Sequence, residues 1–140
     1  MSNLYPDRTG WATGPLSELP FEGPFPDFTP FESYVLQELA SEFESHEHVF
    51  REQLRHAQVI DRINTGAGFY TRVKIEPSSC PALSYRQQGS HFDVADVEHG
   101  IGIVLWGDEG YLDTIEGYTY GDVSLVGREL SGLHILASAP

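Results

Sequence analysis

The nine residues Thr114 to Asp122, TIEGYTYGD, carry the densest mixture of groups that could do chemistry. They include the carboxylates of Glu116 and Asp122, the phenols of Tyr118 and Tyr120 and the hydroxyls of Thr114 and Thr119. Strand alternation puts Glu116 and Tyr118 on one face and Gly117 and Thr119 on the other. Tyr120 joins the first face if the strand runs that far. Two kinds of chemistry fit. Tyrosines bury large rings while keeping a polar tip, so beside carboxylates they suit a basic protein partner. On this reading Glu116, Tyr118, Tyr120 and Asp122 are the partner-binding residues. Alternatively, His91, Glu116 and Tyr118 could form the acid–base site of a small enzyme. The plainest reading is a strand end, with YGD starting a turn.

Other candidate sites are weaker. SHFDVADVEHG holds His91, Asp93, Asp96, Glu98 and His99. In a regular strand His91 and Asp93 share one face while Asp96 and Glu98 share the other, so a single metal site using all five needs a bulge. His46 and His48 are two apart, which on a helix makes a poor chelate. Cys80 is the lone cysteine, in a proline-flanked loop whose nearest base in sequence is Arg86. A reactive thiol needs a helix start or nearby cations to lower its pKa, so Cys80 reads as inert. The paired glycines of TGAG and HGIG open no predicted helix and lack the phosphate-cradling pattern, so they read as turns and bulges. The acid pairs Asp113 with Glu116 and Asp108 with Glu109 carry little weight among 21 acids. The expectation is therefore no catalytic triad, no metal and no cofactor.

The charge is uneven. The chain has 140 residues and a net charge of −13. Residues 93–140 hold nine acids against one Arg, a net of −8, whereas residues 33–92 hold seven acids against six bases. Phosphate binding needs clustered Lys and Arg, so nucleic acid is disfavoured as a ligand. A basic partner would be attracted and steered. One cysteine excludes an internal disulfide. The sequence shows no signal-peptide pattern and no apolar run of membrane-spanning length, which predicts a cytoplasmic protein without a membrane partner. Monomer and homodimer both fit, the latter through a sheet edge.

The elements that must position these residues follow from pattern. Six of nine prolines lie in the first 30 residues, among Phe21, Phe25 and Phe28. Residues 1–28 are expected to form an extended Pro/Phe-rich arm docked by its rings, followed by one domain over 29–140. TPFE marks a helix start, with Thr29 as N-cap, Pro30 first and Glu32 completing a capping box. Val35, Leu36, Leu39, Ala40 and Phe43 make its apolar face, and Phe50, Leu54 and Ala57 a second one. From residue 58 the period changes to two. QVIDRIN and GFYTRVKIE read as a hairpin around TGAG. Residues 77–90 read as loop, HFDVADV as a weaker strand and GIGIVLW as a central one. GDEG turns the chain, YLDTIEGYTY returns, VSLVG is ambiguous and LHILAS closes as a final strand. Helices first and strands afterwards predict an α+β fold: one or two N-terminal helices on one face of an antiparallel sheet of about 4–6 strands.

GAGFYTRVKI at 66–75, HGIGIVLWGDEGYLDTIEGYTYGD at 99–122 and REQLRHAQVIDRIN before them resemble a family of small, uncharacterised bacterial proteins. The resemblance spans about residues 50–122. The chain departs from the pattern at Ile115, where Leu is expected, and in GDEGY, where a shorter turn is expected. DVSLV stands in place of a Trp-Pro pair. The resemblance implies the fold and a bacterial setting, and it carries over no catalytic residue. Without a triad, metal cluster or cofactor loop, binding is favoured over catalysis, with an immunity-type or accessory protein as the expected role.

Overall fold

The computed structural model describes residues 25–136. The fold is α+β, as the order of elements predicts. Helices α1 (Pro30–Ala40) and α2 (Glu47–His56) are joined by a 3-10 turn over Ser41–His46, kinked at Glu44 (φ 52°). Five strands follow: β1 (Gln58–Asn64), β2 (Gly68–Lys74), β3 (Gln87–Val94), β4 (Val97–Asp108) and β5 (Tyr111–Tyr118). They form one sheet in the order β1-β2-β5-β4-β3, antiparallel throughout. No helix among the described residues is long and apolar enough to cross a membrane. The expected arm lies outside the described residues except at Phe25–Phe28.

The capping box forms at α1. The Thr29 hydroxyl accepts from the Glu32 N–H (3.1 Å), and Glu32 Oε1 accepts from the Thr29 N–H (2.8 Å). The same carboxylate is the centre of a buried network. Arg62, fully buried on β1, forks onto it with Nε to Oε2 (2.8 Å) and Nη2 to Oε1 (2.7 Å). The Thr71 hydroxyl on β2 donates to Oε2 at 2.6 Å. A bidentate guanidinium and two further donors thus satisfy a charge that would be costly to bury alone. Arg62 Nη2 also donates to the Asp27 carbonyl (2.7 Å), fastening the segment before the helix.

The core lies between the helices and one face of the sheet. Val35, Leu36, Leu39 and Phe50 pack against Phe69, Val73, Ile101, Ile103, Leu105 and Ile115. Each such side chain, fully buried, contributes about 1.5–3 kcal/mol of transfer free energy. Phe43 is half-buried and stacks on Phe50, with centroids 4.5 Å apart. Gln53 on α2 is a polar residue the apolar pattern passes over, and it is fully buried. Its amide donates to the Pro81 (3.0 Å) and Gly110 (2.8 Å) carbonyls and accepts from the Leu112 N–H (3.3 Å). It therefore ties α2 to the β4–β5 hairpin.

Three expectations are corrected. Residues 87–90 belong to β3 rather than to a loop, because pairing with β4 overrides the turn-like composition of Gln-Gln-Gly-Ser. The β3 strand ends at Val94, and Asp96 turns the chain at φ 64° instead of continuing a strand. Of LHILAS, the described residues 133–136 make a single bridge, Ile135 to Val94, where a final strand is expected.

Candidate functional site

The register places the sequence-selected residues on the sheet face turned away from the helices. In the β4–β5 pairing Gly102 lies opposite Tyr118 and Val104 opposite Glu116; in the β3–β4 pairing His91 lies opposite Gly102. His91, Gly102 and Tyr118 thus form a row across three strands, with Glu116 two residues along from Tyr118. Two glycines make the arrangement possible. A side chain at Gly102 would meet the Tyr118 ring at 2.1–2.5 Å, so Tyr118 lies flat over that strand. On the opposite face, a side chain at Gly117 would meet the Phe69 ring at 2.1 Å, so Gly117 makes room for core packing.

Glu116 is half-buried and held by its neighbours. The indole N–H of Trp106 donates to Oε1 at 2.8 Å, and the Tyr70 hydroxyl lies 3.5 Å from Oε2. The Tyr70 phenol is pushed up from its ordinary pKa near 10 to about 12, first by burial and then by the charge and hydrogen bond of Glu116. Beside it, Arg72 Nε donates to both oxygens of Asp61 (2.8 and 2.9 Å). Its guanidinium is raised by that hydrogen bond, a gain that burial opposes.

The end of β5 is more open. The Tyr118 side chain is exposed, and its ring meets Tyr120 edge-on at 5.5 Å, although the strand stops at Tyr118. The Tyr120 phenol is also pushed up, through partial burial first and then Tyr118. His91 Nδ1 stands 3.0 Å from the Tyr120 hydroxyl, and Nε2 stands 3.2 Å from Asp93 Oδ1. A neutral ring with its proton on Nε2 satisfies both contacts, donating to Asp93 and accepting from Tyr120. Asp122 follows in the exposed turn after Gly121 (φ 62°). The four binding candidates and His91 therefore share one end of the sheet. His91 is engaged by Tyr120 and Asp93, whereas Glu116 is engaged by Trp106 and Tyr70.

The remaining candidates separate. A bulge does fall at Asp93, between Phe92 and Val94, yet no group of three or more His, Cys, Asp or Glu side chains among the described residues could hold a metal. His99 Nε2 pairs with Glu98 at 3.3 Å instead. Cys80 is buried, beside the Ser79 hydroxyl at 3.5 Å. His46 precedes α2 and His48 lies within it. A feature the alternation could not show is a cleft of about 380 Å³ where the β2–β5 ladder stops at Arg72 and Thr114, lined among others by Ile60, Val73, Lys74, Asp108 and Asp113. Ile60 is skipped by a register shift in β1, and Asp113 by another in β5; single extra residues of this kind leave no period-two signal.

Comparison of the chain with protein-family models, with curated proteins and with solved structures gives no match.

Proposed function

We propose that this protein is a non-enzymatic binding module of immunity or accessory type, engaging a basic partner through Tyr118, Tyr120 and Asp122 with Glu116 behind them. The observation that carries this reading is the Tyr118–Tyr120 ring pair, in contact at 5.5 Å, with the exposed Asp93 carboxylate on the His91 ring that meets Tyr120 and the exposed Asp122 two residues after it in the turn. Two fixed aromatic rings beside carboxylates suit an arginine side chain, which stacks on rings and pairs with acids. The net charge of −8 over residues 93–140 would steer such a partner. Glu116 contributes by holding Trp106 and Tyr70 on the same sheet face rather than by reaching outward.

A fluorescently labelled nonapeptide with three arginines separated by glycines serves as the probe, read by anisotropy at two salt concentrations. Tyr118→Ala with Tyr120→Ala should weaken binding about tenfold, the scale of one hot-spot pair. Asp122→Lys should weaken it too, whereas Glu109→Lys, at the hairpin tip, should change it little. Equal losses at Asp122 and Glu109 would mean diffuse charge attraction and would remove the site.

The acid–base reading keeps one supporting observation, the Asp93–His91–Tyr120 chain of contacts. It requires a turnover activity that His91→Gln abolishes while the arginine peptide still binds.

A further inference from the structure

The two edges of the sheet are treated differently. On β1 the edge is closed. The Val59 N–H donates to the Pro26 carbonyl (2.7 Å), the strand bulges at Ile60, and charged Asp61 and Arg62 follow. Bulges, charges and covering segments are the ordinary means of keeping an edge from pairing with another chain. On β3, among the described residues, they act at one end only. The Asp93 carbonyl accepts from the Leu136 N–H and the Ala95 N–H donates to the His134 carbonyl, both at 2.9 Å, beside the bulge at Asp93.

From Gln87 to Phe92 the β3 edge carries no Asp, Glu, Lys or Arg, in a chain whose net charge is −13. Gly107 donates its N–H to the Arg86 carbonyl (3.0 Å), so Arg86 and Gly107 are a bonded pair. The β3–β4 register runs without a shift as far as Phe92. Bonded positions alternate in an antiparallel ladder, so Gln88, Ser90 and Phe92 also bond to β4. Gln87, Gly89 and His91 turn their N–H and C=O groups outward, and all three residues are exposed.

We propose that this edge pairs with the same edge of a second copy of the chain. The two β3 strands would run antiparallel about a two-fold axis at Gly89, joining two five-stranded sheets into one. Gly89 would face Gly89 of the second copy, so no side chains meet at the axis. Gln87 would face His91, and Gln88 would face Ser90. Gln87, Gln88, Ser90 and His91 place no like-charged acidic or basic pair opposite one another in this pairing. The edge is self-complementary where the rest of the chain repels its copies.

Sedimentation equilibrium on the full chain tests this. The mass should rise from 15.6 kDa towards twice that value with concentration, more readily at high salt, where like-charge repulsion is screened. Amide exchange at Gly89 and His91 should slow in parallel. Gln88→Lys with Ser90→Lys places like charges opposite one another and should weaken self-association about tenfold, as should Gln88→Glu with Ser90→Glu. An equimolar mixture of the two double variants should restore the dimer, and thermal melts confirm that each is folded. A 15.6 kDa species at every concentration, with exchange at Gly89 and His91 unchanged, overturns the proposal. A dimer indifferent to both charged pairs, or a mixture that fails to pair, overturns the edge or its antiparallel register.

Discussion

Replacing Glu32 by Gln changes one oxygen for an NH2 group and leaves the side-chain shape intact. In the native site each carboxylate oxygen accepts two hydrogen bonds: Oε1 from the Thr29 N–H and Arg62 Nη2, Oε2 from Arg62 Nε and the Thr71 hydroxyl. An amide supplies one acceptor oxygen. Turned one way its NH2 faces two N–H donors; turned the other it faces Arg62 Nε and a Thr71 hydroxyl that must reorient to accept, and in both fully buried Arg62 loses this carboxylate. Breaking a buried ion pair from one side costs about 3–5 kcal/mol. Thr71→Val removes one hydrogen bond to a charged group, worth about 1.5–3 kcal/mol, and Thr29→Ala removes a cap worth about 1 kcal/mol. A domain of ordinary stability, about 5–15 kcal/mol, should survive each change. Urea unfolding followed by far-UV circular dichroism measures all three, and the expected order is Glu32→Gln, then Thr71→Val, then Thr29→Ala. Arg62→Met combined with Glu32→Gln should cost less than the sum of the single changes, because the two groups form one unit. A loss below about 1 kcal/mol for Glu32→Gln would refute the reasoning, since it would mean the pair is solvated rather than buried.

Further outcomes follow from the sheet and its aromatic residues. Gly117→Ala pushes a methyl group into the Phe69 ring, itself in the core, and should cost about 1–3 kcal/mol in the same urea assay. Tyr70 should be protonated until about pH 12 in a tyrosinate absorbance titration, and Glu116→Gln should lower its midpoint while leaving it above 10, because burial is the larger cause. Since the folded-state pKa of Tyr70 is raised, its contribution to stability is complete below pH 10 and is lost as pH rises from 10 to about 12. The Tyr85 hydroxyl is buried without a hydrogen-bond partner among the described residues, with the Phe43 ring 4.9 Å away. Tyr85→Phe should therefore raise stability, by about 1 kcal/mol, as a shift in urea midpoint.

Local chemistry made much of the fold legible. The Thr29–Glu32 capping box, the alternation of Phe69, Thr71, Val73 and Ile75, and the turn at Thr65–Gly66 each follow from a few adjacent residues, and the structure contains them. Arg62 was not legible as a core residue. The register shift near Ile60 resets the alternation of β1, and the partner carboxylate is thirty positions away. Gln88 to Ser90 lacked a strand signal because neither β-branched nor aromatic side chains occur there, and only the β4 ladder makes them extended. Around the candidate site, alternation placed Glu116 and Tyr118 together on one face, as the structure does. It could not show that Glu116 is held by Trp106 and Tyr70, nor that His91 meets Tyr120, because those contacts cross strands whose register no short motif encodes.

The proposed binding site at the end of β5 is tested most directly by titrating the arginine–glycine nonapeptide into the ¹⁵N-labelled chain and following backbone amide shifts. The account predicts saturable shifts concentrated at Glu116 to Asp122 and at His91 to Asp93, lost in Tyr118→Ala with Tyr120→Ala. Shifts spread evenly over the acidic surface, or centred on Asp108 to Tyr111 at the far hairpin, would contradict it.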